Sequence, residues 1–267
     1  MEMINKPVIG VAAAVVLIAG GTWYYLQSRH QAAPPAAATS APQAPPAESA
    51  EPAIQHPVPE GEGAAAKTPL PALADSDAAI GDALGQLVGA AAMKDYWVPD
   101  SIVRHIVVTV DNLPRPKASV QKRPTGTVAG TLMVEGDELH ATLDARNFAR
   151  YQPWVAVIDR LDMKQLAAEY LHFYPLFQQA YQDLGYPNGY FNDRLVQVID
   201  HLLAAPQPAQ PIALVRPNVM FTYADPGLES RSAGQKLLIR MGPDNAAVIK
   251  AKLSELRAAI TAAPPKR

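Results

Sequence analysis

Among its 267 residues the chain has no cysteine. That excludes disulfides, thiol nucleophiles and cysteine-ligated zinc or iron–sulfur centres. The absence suits an oxidising compartment, where a stray thiol is a liability. An excess of either charge is missing too: 23 Lys and Arg stand against 25 Asp and Glu, for a net charge of −2. No basic field exists to hold a phosphate backbone, so nucleic acid is not an expected partner. The familiar catalytic signatures are absent as well. There is no H-E-x-x-H and no G-x-S-x-G. His105, His140, His172 and His201 are not spaced as metal pairs on a helix, so no metal or cofactor is expected. Ser119-Val120-Gln121-Lys122 matches S-x-x-K, but it lies in a Pro-flanked stretch with no S-D-N or K-T-G after it. Ser232-Ala233-Gly234-Gln235-Lys236 lacks the first glycine and the Ser/Thr of a phosphate loop and reads as a helix start.

What is present begins with an uncharged run. Residues 7–26, PVIGVAAAVVLIAGGTWYYL, are long enough at about 1.5 Å per residue to cross a roughly 30 Å hydrocarbon core. Trp23, Tyr24 and Tyr25 stand at one end, where amphipathic rings prefer the interface. A cleaved signal peptide is the competing reading. It would carry small residues where this aromatic cluster stands, so an uncleaved single-pass anchor is expected, with 1–6 as a short cytoplasmic N-terminus. After Arg29 no Lys or Arg occurs until Lys67. This favours an inner-membrane protein with its C-terminal domain in the periplasm.

Residues 27–68 are dominated by Ala and Pro with sparse Glu. Such a stretch has too little to bury to offset its ordering entropy, and it reads as a disordered linker.

Residues 69–262 read as a mostly helical soluble domain, with 263–267 as a tail. The class is mainly α with a small β component: one hairpin plus short strands. Asp75 and Ser76 look like caps for a helix carrying Ile80, Leu84, Leu87 and Val88. A helix is expected over 101–113. Alternation over 127–134 and 138–143 predicts a hairpin around Glu135-Gly136-Asp137. Asp162 and Gln165 resemble a capping box. The stripe after them is Leu166, Tyr170, Phe173, Tyr174, Phe177, Tyr181 and Leu184, and Pro175 should kink or split it. A helix over 191–204, short strands at 212–215 and 219–223, and two closing helices over 232–241 and 243–262 complete the reading.

The most unusual stretch is Gly185-Tyr186-Pro187-Asn188-Gly189-Tyr190-Phe191-Asn192-Asp193-Arg194, which enters a helix ending at Asp200-His201. Tyr186, Asn188, Tyr190, Asn192, Asp193, Arg194 and His201, with Arg150 and Tyr151, are the candidate binding residues; no catalytic residue is assigned. Asp plus His can do acid–base work when held in hydrogen-bond reach. The competing structural reading has Asn188 or Asn192 capping the helix, Asp193 and His201 complementing its dipole, and Arg194 pairing with a carboxylate to lock two helices.

VDNLP at 110–114, NFARYQPWV at 147–155, YPLFQQAYQDLGYPNGYFNDRLVQVIDHLLAAP at 174–206 and SAGQKLLIRMGPDNAAVIKAKLSELR at 232–257 resemble the bacterial family known as domain of unknown function 3014. The resemblance implies an envelope protein with an N-terminal membrane segment and a variable linker. It carries over no activity, ligand or catalytic residue. The expectation is thus a membrane-anchored envelope protein whose domain binds a protein or cell-wall partner. An envelope hydrolase built around Asp193, Arg194 and His201 is the alternative.

Overall fold

The computed structural model describes residues 53–58, 69–118, 122–137 and 139–262. The expected membrane span at 7–26, most of the linker, the 263–267 tail and Ser119 of the S-x-x-K match lie outside them. After a 3-10 turn at Leu73–Asp75 come α1 (Asp77–Val88), α2 (Ala90–Tyr96) and α3 (Ile102–Asn112). A first hairpin, β1 (Val134–Glu135) and β2 (Thr142–Leu143), precedes α4 (Arg146–Ala149), α5 (Gln152–Asp159), α6 (Met163–His172), α7 (Tyr174–Asp183) and α8 (Phe191–Leu203). A second hairpin, β3 (Leu214–Val215) and β4 (Thr222–Tyr223), leads to α9 (Pro226–Glu229), α10 (Ala233–Arg240) and α11 (Pro243–Thr261). The domain is mainly helical with two small antiparallel hairpins.

Helical periodicity builds the core. Ile249, Leu253, Leu256 and Ile260 fall on one face of α11, and that face packs on α5, α6 and α8. Leu195, Val198, Ile199 and Leu202 form the matching stripe of α8 and are buried. Helix α3 closes the other side against α7 and α8, through Val103, Ile106, Val107 and Val110. Burying one such side chain contributes about 1.5–3 kcal/mol, so these stripes dominate folding.

Local chemistry sets most boundaries. The Asp162 carboxylate accepts the N–H groups of Lys164 and Gln165 and starts α6. Pro175 cannot continue that helix, and the stripe divides into α6 and α7 at Phe173. Ser76 sits at the start of α1, but its hydroxyl donates to Leu73 O and does not cap. The Asp77 carboxylate instead accepts the N–H groups of Ser101 and Ile102 and so starts α3, a helix across the fold. Gly242, between α10 and α11, has φ +86, and a Cβ there would lie 2.5–2.8 Å from the Phe148 ring.

The β component is shorter than alternation predicts. Only Val134↔Leu143 and Glu135↔Thr142 pair in the first hairpin. The chain before it is drawn off by Arg150, which donates to Ala129 O and Gly130 O. The Asp137 carboxylate accepts the N–H groups of Leu139 and His140 and opens the turn. The second hairpin pairs Leu214↔Tyr223 and Val215↔Thr222. A Thr142↔Ala213 bridge joins the two over a small second core of Leu143, Ile212, Leu214, Tyr223 and Ile239. Helices α2, α4, α5 and α9 have four to eight residues, too short for a periodic signal to emerge.

Candidate functional site

Gly185, with φ +115, ends the turn after α7, and the chain then runs through Tyr186–Tyr190 into α8. Gln178 on α7 clasps that run. Its side-chain carbonyl accepts the Phe191 N–H at 2.8 Å, and its amide donates to Gly189 O at 2.7 Å. Position 189 admits no side chain: a Cβ would stand 2.7 Å from the Tyr181 ring and 2.9 Å from Tyr186 Cβ. The Tyr181 and Tyr186 rings stack at 4.6 Å. The loop is thus fixed from both sides, and with it the first turn of α8.

Behind the turn lies an aromatic wall. Tyr174 meets Tyr190 at 5.6 Å between ring centres, Tyr170 meets Tyr174 at 5.8 Å, and Phe177 stacks on Phe191 at 5.9 Å. Burial pushes the Tyr170 and Tyr174 phenols well above their ordinary range, so both keep their protons. The Tyr170 hydroxyl donates to Asn192 Oδ1 at 3.1 Å. This fixes the fully buried Asn192 amide with its Nδ2 turned outward.

What that amide meets is part of the stretch read as linker. Residues 53–58 lie on the domain. Asn192 Nδ2 donates to His56 O at 2.9 Å. Asp193 Oδ2 accepts the Gln55 N–H at 3.0 Å and Oδ1 the His56 N–H at 2.7 Å. Tyr190 Oη accepts the Val58 N–H at 2.7 Å, and the Val58 side chain packs on the helical core. All four bonds go to main-chain groups of the segment, which bends at Gln55 and His56, so the turn reads its backbone. Neither Asn188 nor Asn192 caps α8: Asn188 is exposed, Asn192 is spent on Tyr170 and His56, and Tyr190 occupies the cap position with its side chain making no capping bond. Ordering one residue's backbone costs about 1–2 kcal/mol, and a hydrogen bond to a charged group contributes about 1.5–3 kcal/mol net. Six ordered residues are therefore held by two charged bonds, two neutral ones and one half-buried valine without a large surplus.

The remaining candidates do not converge on this point. Arg194 donates from Nε to Asp111 Oδ1 at 3.0 Å and from Nη2 to Asp111 O at 2.9 Å, locking α8 to α3. Asp111 is also bound by Arg115 and receives the Tyr186 hydroxyl at 3.3 Å. His201, two turns along α8, has its Nε2 2.8 Å from Ser232 Oγ. That hydroxyl is buried and caps α10 by accepting the Gln235 N–H. Burial, with Arg194 and Arg231 nearby, lowers the His201 pKa and keeps the ring neutral. Arg150 holds the 129–130 turn and Asn147, and Tyr151 is buried in the core. Asp193, Arg194 and His201 thus face three different sets of partners. Among the described residues no group of three or more His, Asp or Glu is placed to hold a metal ion, and no helix is long and apolar enough to cross a membrane.

Tyr170, Tyr174, Gln178 and the 53–58 segment complete the site; the sequence reading puts the two tyrosines in a helical stripe and 53–58 in the linker, and gives none of the four a place in the site. One signal was there. Ile54 and Val58 are the only aliphatic side chains larger than alanine between residues 27 and 68.

Comparison with curated proteins and with solved structures finds no match. A family model does match, over residues 102–257, more than half of the chain. The matched stretch contains Asp111, the aromatic wall and the whole Tyr186–Arg194 turn, and it excludes the docked segment at 53–58. The chain belongs to the family described as Protein of unknown function (DUF3014).

Proposed function

We propose that this chain is a membrane-anchored envelope protein whose helical domain binds a short segment of a protein partner, by its main chain, at Tyr190, Asn192 and Asp193, without catalysing a reaction. In this reading residues 7–26 span the inner membrane once and the domain works in the periplasm. One observation carries the binding assignment: the turn grips residues 53–58 through three main-chain N–H groups and one main-chain carbonyl. In peptide binding, main-chain hydrogen bonds supply affinity and side-chain pockets supply selectivity. Here Val58 against the helical core plays that second part. The anchor is supported by the uncharged length of 7–26 and its aromatic end.

The hydrolase alternative needs an acid, a base and a reacting atom within reach of each other. Asp193 has both oxygens on backbone amides, and His201 is bonded to a capping serine. This favours binding over catalysis.

A photoreactive residue at the exposed Asn188, in the full chain in its own membrane, tests the proposal. It should crosslink reproducibly to one envelope protein, and Asp193→Asn should remove that product. A product that survives Asp193→Asn, or one made only of cell-wall fragments, would overturn the reading.

A further inference from the structure

We infer that residues 53–58 are a built-in occupant of the peptide site, a strap that competes in cis with any partner segment. The inference rests on the proposed peptide-binding role and adds how that site is regulated.

The contacts define what the site accepts. Asp193 takes two consecutive N–H groups with its two oxygens. The same device holds Ser101 and Ile102 on Asp77 inside the fold, but there the held residues begin a buried helix. On Asp193 the held residues are exposed or half-exposed: Ile54, Gln55 and Pro57 face solvent, and His56 and Val58 are partly covered. A segment fixed by its backbone and one valine, with no helix or strand within residues 53–58, can leave without disturbing the core. Asn192 and the aromatic wall, by contrast, are fixed by Tyr170, Tyr174 and Gln178 whatever occupies the site. The receptor is preorganised and its occupant is replaceable.

Covalent attachment decides the competition. Only residues 59–68 separate the strap from the domain at Pro69, so its effective concentration at the site is on the order of millimolar. A partner segment must match that, and its apparent affinity falls by the fraction of chains whose site is open.

A labelled peptide with the sequence of residues 51–60 tests this by fluorescence anisotropy on the full chain in detergent micelles. The strap is disabled by Gln55→Pro with Val58→Pro, which deletes two of its donors and leaves every receptor residue intact. The peptide should bind this variant at least about tenfold more tightly than wild type, and adding Asp193→Asn should abolish the gain. Equal affinity for wild type and the strap variant would overturn cis occupancy while leaving the peptide site standing. No saturable binding to the strap variant at millimolar peptide would overturn the peptide site, and this inference with it.

Discussion

Arg194 on α8 holds Asp111 on α3 at both its carboxylate and its main-chain oxygen, at 3.0 and 2.9 Å. The Asp111 side chain is 3% exposed and that of Arg194 is 21% exposed, whereas Arg115, the second cation on the same carboxylate, is 50% exposed. The two cations should therefore contribute unequally. Breaking a mostly buried pair costs about 3–5 kcal/mol, because the partner charge is stranded. A half-exposed pair contributes about 0–1 kcal/mol. Arg194→Ala is expected to lower unfolding stability by about 3 kcal/mol and Arg115→Ala by less than about 1 kcal/mol, read from urea midpoints. Equal losses would overturn this ranking of the two cations by burial.

Gly242 joins α10 to α11 with φ +86 and ψ +161. That backbone region is essentially confined to glycine and costs other residues about 1–3 kcal/mol. The added methyl would also meet the Phe148 ring. Gly242→Ala should lower stability by about 3 kcal/mol or more. The double variant Gly242→Ala/Phe148→Ala separates the two causes, since only the steric part is relieved.

His201 makes stability depend on pH in a defined direction. Its pKa in the fold lies below the ordinary 6.5, through burial first and the Arg194 and Arg231 charges next. The unfolded chain then binds the proton more readily. The contribution is complete above about pH 6.5 and is lost as pH falls through the folded value. His105 is lowered too, chiefly by burial, and adds in the same sense. Thermal melts between pH 7.5 and 5.5 should show wild type losing stability toward acid. His201→Gln should show a shallower loss, with His105 still contributing.

Much of this architecture was legible because helical burial is periodic. Asp162 as a cap, Pro175 as a break and the Ile249–Leu253–Leu256–Ile260 face need only neighbours within a turn or two, and each stands where expected. Ser76 was misread because a capping serine and one bonded back to Leu73 look alike in sequence. The hairpins were over-extended because alternation reports a possible strand, whereas pairing also needs a free partner. Arg150 occupies the carbonyls of the approaching chain instead.

The site divides along the same line. Tyr190, Asn192, Asp193 and Arg194 are conspicuous in sequence as polar and aromatic residues at a Gly-bounded turn. Their roles were not, because each role is set by a partner distant in the chain: His56 lies 136 residues from Asn192, and Asp111 lies 83 from Arg194. The sequence by itself determined the absence of thiol chemistry, the even charge, the helical class and the candidate turn, since composition and short-range periodicity report local preferences directly. Only the tertiary structure decided that Asp193 and His201 do not share a site, and that a fragment of the Ala/Pro stretch lies on the domain. Those facts depend on which distant backbone groups come within 3 Å of a given side chain, and no local preference encodes that distance.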